Sequence, residues 1–248
     1  MKIAYKTLTY CGKRRENNED CLRVIPEENI FMVADGMGGH LAGEVASSLA
    51  VEAVSGYLGR ALQQEDVQSP DVLLEDAVQF ANARVFNESQ TSEEYANMGS
   101  TLALAWQNDD RLYIAHVGDS RAYIFNKKQA RQLTNDHSLV GNLLREGAIT
   151  PQEALNHPQR NILTRALGVE DRVKVDIQVF ELPLPGFLLL CTDGLSSYLA
   201  MDTVLPQVAE SVEPDQILPV LAELAKESGS NDDITGILLW EEEVSSYE

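Results

Sequence analysis

The stretch FMVADGMGGH, Phe31 to His40, carries an apolar run straight into an Asp-Gly turn and then adds glycines at 38 and 39. A second stretch, LLLCTDG, Leu188 to Gly194, has the same plan: an apolar strand ends, an aspartate follows within two residues, and a glycine turns the chain. Asp35 and Asp193 therefore stand at the carboxyl ends of two buried strands. Asp119 has a like place in AHVGDSR, while Asp232 and Asp233 lie just before the strand-like ITGILLW. In an antiparallel sheet the start of one strand lies beside the end of its neighbour, so these carboxylates are expected to collect on one edge.

A buried cluster of anions repels itself, and burial raises carboxyl pKa values until some groups are neutral. Divalent cations resolve that conflict. The donors on offer are oxygens, with no histidine or cysteine at suitable spacing, which selects Mg²⁺ or Mn²⁺ over zinc. Gly36, lacking a Cβ, lets its carbonyl approach a cation closely. A lone Asp-Gly is most often only a turn, and capping its own turn is the alternative for Asp119. The recurrence of the pattern after two apolar strands favours the metal reading. Neither Gly-x-Gly-x-x-Gly nor Gly-x-x-x-x-Gly-Lys-Ser/Thr occurs, so both nucleotide fingerprints are missing.

Working outward, strand character marks Ile3 to Thr9, Asp20 to Val24 and Ile30 to Ala34. The period then changes. Val45, Leu49, Val54, Leu58 and Leu62 mark one face of a helix, and Leu74, Val78, Ala81 and Val85 mark a second, which opens on Ser69-Pro70 as N-cap and first helical residue. Strands return at Thr101 to Trp106, Arg111 to Val117 and Arg121 to Phe125, joined by Asn-Asp-Asp and Gly-Asp-Ser turns. A short helix around Leu139 to Leu144 stops at Gly147, and TPQE at 150–153 reads as a capping box. Alternation at Val173, Val175, Ile177 and Val179 predicts a strand, Phe187 to Cys191 another, Pro214 to Ser228 a helix, and Ile234 to Trp240 a last strand. Runs of strands broken by a helix pair do not give the strict alternation of a parallel sheet, so the expected class is an antiparallel α+β layered fold.

The chain has 248 residues with no repeat or linker that would separate two cores, so one domain is expected. Against 19 Lys and Arg stand 39 Asp and Glu, a formal charge of -20, which argues against a nucleic-acid or anionic-membrane surface. Three scattered cysteines suit a reducing compartment, and no apolar run approaches a membrane span. A cytoplasmic protein is expected.

Eight ordered blocks, CGKRRENNED, VADGMGGHLAGE, MGSTLALA, AHVGDSRAY, LTNDHSLV, HPQRNILTRALG, LLLCTDGLS and SNDDITGIL, resemble the bacterial PPM-type (2C-type) metal-dependent protein Ser/Thr phosphatases and cover nearly the whole chain. The resemblance implies a four-layer αββα sandwich of two antiparallel sheets flanked by helices, with a binuclear Mn²⁺ or Mg²⁺ centre at one edge. It implies one catalytic domain over 1–240, with a flap at about 136–167, and an acidic tail over 241–248. Asp35 resembles the aspartate bridging two metals, and Gly36 the residue whose carbonyl binds one of them. Asp193 and Asp232 resemble the terminal ligands, and Asp119, with Asp193, the ligands of a weaker third ion. Glu19 and Asp20 match acidic positions that reach a metal through water, and Arg15 matches the arginine that holds the substrate phosphate.

The implied activity is hydrolysis of phosphoserine and phosphothreonine in proteins by a water or hydroxide shared between two metal ions, without a phosphoenzyme. Phosphorylated proteins, a bacterial Ser/Thr kinase or its substrates are the implied partners, and a monomer is expected. The competing reading is a catalytically idle module that binds a phosphoprotein or kinase; idle members tend to lose a ligand aspartate, and none is missing here. A hydrolase of small phosphoesters is a third.

Two positions depart from the family pattern. Met37 stands where animal members carry a histidine that serves as general acid, which makes His40 the alternative proton donor, with a backbone-bonding loop histidine as its other reading. Asp233 replaces the asparagine of the family's Asp-Asn pair.

Overall fold

The computed structural model describes residues 3–13, 15–38, 41–65, 67–150, 153–154, 157–182 and 186–241. One sheet has the order β1 (Ile3–Tyr10), β11 (Ile234–Glu241), β10 (Phe187–Cys191), β7 (Arg121–Phe125), β8 (Ala130–Gln132). The other runs β2 (Asp20–Ile25), β3 (Ile30–Met37), β5 (Leu102–Asn108), β6 (Arg111–Val117), β9 (Asp176–Glu181), with the short β4 (Gly99–Ser100) also paired to β3. Every pairing is antiparallel.

Strand parity explains the layers. In β3, Phe31 and Val33 join the cluster between the sheets, while Ile30, Met32 and Ala34 face the helices α1 (Ala42–Ala61) and α2 (Pro70–Ser89). In β10, Leu188 and Leu190 point inward, and Leu189 and Cys191 pack under the helices Met201–Ser211 and Pro214–Glu227. Both faces of each sheet are covered, which is why these strands read as unbroken apolar runs. The expected helix-sheet-sheet-helix sandwich is observed.

The face of α1 is rotated from the one its large residues suggested. Ala42, Ala46, Ala50, Val54 and Leu58 are fully buried at a four-residue spacing, whereas Val45 and Leu49 are only half-buried. Small side chains let this helix lie close against β3. Pro70 begins α2 after an extended Ser69, as read, although the Ser69 hydroxyl makes no cap hydrogen bond. The capping box is present: Glu153 Oε2 accepts from the Thr150 N–H at 2.8 Å, and Thr150 Oγ1 accepts from the Glu153 N–H at 3.3 Å.

Two expectations need correction, and one element is added. The strand read from Val173 begins only at Asp176, because Val173 and Val175 alternate as buried loop residues packed on the α1–α2 core. The helix Met201–Ser211, with Pro206 inside it, is an element beyond those expected. Strand β11 continues one residue past the expected domain boundary, to Glu241, and residues 242–248 of the acidic tail lie outside the described residues. Among the described residues no helix is long and apolar enough to cross a membrane.

Candidate active site

Strand ends from both sheets meet at one edge of the sandwich. Asp20 and Asp35 are opposite residues of the β2–β3 pair. The Asp35 backbone is held on both sides: its N–H donates to Thr101 Oγ1 at 2.9 Å, and its carbonyl accepts from the Thr101 N–H at 2.8 Å. Thr101 Oγ1 also lies 2.7 Å from Ser120 Oγ, which connects Asp35 to the turn that carries Asp119. From the other sheet, Thr192 and Thr235 clip the ends of β10 and β11 together: the Thr192 N–H donates to the Thr235 carbonyl at 3.0 Å, and the Thr235 N–H donates to Thr192 Oγ1 at 3.0 Å. The Thr192 hydroxyl then donates to Asp20 Oδ2 at 2.8 Å, across the gap between the sheets. Asp193 begins a single helical turn, Asp193–Ser196, close enough to Asp35 that each charge raises or lowers the other's pKa.

This crowding has an electrostatic signature. Burial, then the charges of Asp20, Asp193, Asp119 and Asp232, push the Asp35 carboxyl well above the usual carboxylate range. Burial likewise raises Asp20 and Asp119 to about 8, and burial with the Asp232 charge raises Asp193 to about 6. Without cations the Asp20, Asp35 and Asp119 carboxyls are driven toward their protonated forms at neutral pH. An all-oxygen donor set with that deficit of positive charge fits hard divalent ions. Gly36 fits too: a Cβ there would overlap the Gly43 carbonyl oxygen, so only glycine allows the β3 end to approach the start of α1 so closely.

Sequence-predicted site residues fall into three groups. Asp20, Asp35, Asp119, Asp193 and Asp232 are brought together, with Gly36 beside them. Arg15 and Glu19 pair at the rim, and the guanidinium reaches Asp232 Oδ1 at 2.6 Å. His40 lies outside the described residues, while Met37 ends β3 opposite Gly99.

The sequence profile described as Protein phosphatase 2C matches residues 9–232. The chain belongs to the protein phosphatase 2C family. Among curated proteins it is 38% identical over 232 residues, 92% of each chain, to the serine/threonine phosphatase stp of Listeria monocytogenes serotype 4b. Among solved structures it resembles serine/threonine phosphatase Stp1 from Staphylococcus aureus, at 32% identity and TM-score 0.88, covering 98% of this chain and 96% of that one. The catalytic domain of the phosphatase PstP, solved in complex with two manganese ions, matches at 31% identity and TM-score 0.82, over 96% of this chain and 97% of that one. Fold and enzyme class, a protein phosphatase, are thus as the motifs led one to expect.

In this 2C-type phosphatase Asp233 serves the backbone. It is buried, and its two oxygens accept from the N–H groups of Gly12 at 2.7 Å and Glu19 at 2.8 Å. Two donors need two acceptors; an asparagine would turn an NH₂ group on one of them. The carboxylate therefore shapes the loop that carries Arg15.

Two side-chain clusters of the phosphatase escaped the sequence reading. Arg121 grips Asp136 with three hydrogen bonds of 2.7 to 3.0 Å and reaches the Tyr123 hydroxyl and the Ser196 carbonyl, tying the Asp119 turn to the segment that begins at Asp136. His116 stacks on His137 at 4.6 Å, and Arg165 meets both His137 Nε2 and Asp176 Oδ1, at 2.8 and 2.7 Å. The rings stack nearly parallel, which directs their in-plane lone pairs along separate planes, and the Arg165 guanidinium already supplies a cation, so this cluster clasps residues 137 and 165 to β9. Arg121, His116, Asp136 and His137 all sit inside the motif blocks, but no spacing discloses which of them meet.

Proposed function

We propose that this phosphatase hydrolyses phosphoserine and phosphothreonine in proteins, using bound Mn²⁺ or Mg²⁺ and no phosphoenzyme, and that it reverses a bacterial Ser/Thr kinase. The observation that carries the reading is the convergence of Asp35, Asp193, Asp119 and Asp20, at strand ends of two sheets, in a half-buried group whose carboxyl pKa values are raised by desolvation and by one another's charge. The manganese ions of its structural relative PstP support Mn²⁺ as the cofactor. Asp35 would bridge two ions, Gly36 would offer its carbonyl to one, and Asp193 and Asp232 would be terminal ligands. Asp119, with Asp193, would hold a weaker third ion, and Glu19 and Asp20 would act through water. Bound cations supply Lewis acidity, which lowers the pKa of water toward neutrality and polarises phosphoryl oxygens.

The chain's own groups do the positioning. Arg15 presents a planar fork suited to two phosphate oxygens, and its ion pairs with Glu19 and Asp232 keep it at the mouth of the acidic edge. Thr101 and Thr192 hold Asp35 and Asp20 in place. His40 is the proposed proton donor to the leaving oxygen. A monomer in the cytoplasm is the proposed setting.

The test is phosphate release from a phosphothreonine peptide with Mn²⁺, with EDTA, and with the Asp193→Ala variant, alongside Mn²⁺ binding followed by electron paramagnetic resonance. Turnover is expected with Mn²⁺ alone, and Asp193→Ala should lose bound Mn²⁺. Equal turnover in all three arms would sink the metal-dependent reading.

A further inference from the structure

The turn that carries Asp119 is held from two sides. β6 hands the chain to Gly118-Asp119-Ser120, and β7 takes it up at Arg121. On one side Ser120 Oγ lies 2.7 Å from Thr101 Oγ1. On the other, Gly118 and His137 bond each other reciprocally: the His137 N–H donates to the Gly118 carbonyl at 2.9 Å, and the Gly118 N–H donates to His137 Nδ1 at 3.1 Å. Gly118 has a φ of +98°, and a Cβ on it would overlap the Thr101 side chain. The turn therefore has no side chain of its own at this position, and its buried N–H depends on the histidine ring for an acceptor.

That acceptor exists in only one form of the ring. Burial first, then His116 and the Arg165 guanidinium, push His137 down to about 4, so the ring is neutral at physiological pH. A neutral imidazole has one lone pair and one N–H. A backbone N–H can only donate, so the lone pair belongs to Nδ1 and the proton to Nε2. Asp176 Oδ2, 3.3 Å from Nε2, accepts from it. Arg165 Nη1 comes within 2.8 Å of the same nitrogen, but its two hydrogens have oxygen acceptors, Asp176 Oδ1 at 2.7 Å and the Lys174 carbonyl at 3.1 Å. Asp176 opens β9 opposite His116 of β6, so the sheet itself fixes the carboxylate that selects the tautomer.

We infer that His137 is a positioning residue for the proposed metal site: its Nδ1 lone pair, kept free by Asp176, orients the Gly118–Asp119 peptide and so aims the Asp119 carboxylate at the weaker third ion. The inference rests on the reading of Asp119 as a ligand of that ion. His137 acts through the backbone, as groups behind metal ligands commonly do.

The first arm of the test uses metal-free wild type. Heteronuclear NMR of the histidine ring nitrogens at neutral pH in EDTA should show His137 unprotonated at Nδ1 and protonated at Nε2. A proton on Nδ1, or on both nitrogens, would overturn the inference, and this spectrum requires no variant to fold.

The second arm titrates Mn²⁺ into wild type, His137→Asn and His137→Leu, reading free ion by electron paramagnetic resonance. Asparagine places Oδ1 close to where Nδ1 stands and keeps an acceptor for the Gly118 N–H; leucine does not. Wild type and His137→Asn should share a weak Mn²⁺ class, whereas His137→Leu should weaken it about tenfold and leave the tighter ions unmoved. Both substitutions remove the stack on His116 and the contact with Asp176, so a ring needed only for packing would make the two variants alike. An asparagine variant as weak as the leucine variant would therefore overturn the inference, as would a weak class unchanged in His137→Leu. A wild type with no weak class at all would instead strike the third ion from the proposed ligand set, and the positioning role with it.

Discussion

Asp233 and Glu19 lie 214 positions apart in the chain, yet the carboxylate of one accepts the backbone N–H of the other at 2.8 Å. The same carboxylate takes the Gly12 N–H, and a Cβ on Gly12 would collide with the backbone of Asn231 and Asp232. The loop bearing Arg15 is thus moulded onto the segment bearing Asp232. Asp233→Asn should leave one buried N–H facing an NH₂ group and cost about 1–3 kcal/mol, measured by urea denaturation. An unchanged midpoint would mean that the two backbone bonds do not need a carboxylate.

Metal-free protein should lose stability as pH rises. A carboxyl with a folded-state pKa above its unfolded value keeps its proton longer when folded. Between the ordinary value of 3.8 and the raised values of about 6 for Asp193 and about 8 for Asp20 and Asp119, the native state therefore binds more protons than the unfolded chain. Stability falls across that window. Thermal melts in EDTA should show a lower Tm at pH 8 than at pH 5, and added Mn²⁺ should raise the Tm more at pH 8. A flat or rising Tm in EDTA would contradict the cluster's electrostatics.

Glycine substitutions separate close approach from helix propensity. Gly36→Ala and Gly194→Ala would each drive a Cβ into a backbone carbonyl, that of Gly43 and of Asp233 respectively, and should cost upward of about 2 kcal/mol. Gly59, in α1, has open space where its Cβ would go, and Gly59→Ala should stabilise by about 0.5–1 kcal/mol. Chemical denaturation of the three variants side by side checks both signs.

Arg121→Lys retains the charge but loses the fork that holds Asp136, Tyr123 and Ser196. A loss of about 1–3 kcal/mol is expected in urea titrations. If lysine proves neutral, the planar geometry of the Arg121–Asp136 pair is dispensable.

The architecture was largely legible because two signals agreed: apolar strands ending in Asp-Gly, and motif order. Asp35 and Asp193 could be read from their own neighbours, since each terminates a run buried on both faces. What stayed hidden depended on partners distant in the chain. Nothing near Asp233 announces that it would serve the amides of Gly12 and Glu19. Arg121 and Asp136 meet through a hairpin, and no periodicity relates them. The helix containing Pro206 goes against a local rule that tertiary packing overrides: Met201, Leu205, Val208 and Ala209 bury a face against the sheet, which offsets the missing backbone donor. The face of α1 was misjudged because large residues drew attention from the alanines that make the closest packing.

Strand order gives the edge of carboxylates a temporal meaning. β11 is the last strand of the described chain, yet it lies between β1 and β10 inside its sheet, and Asp232 directly precedes it. Asp20 and Asp35 leave the ribosome about two hundred residues earlier. A growing chain has no complete set of carboxylates until β11 has slotted between strands made long before it. On the proposed ligand set, catalytic competence would be withheld from every partial translation product, and no truncated fragment ending before β11 should be able to erase a phosphate mark.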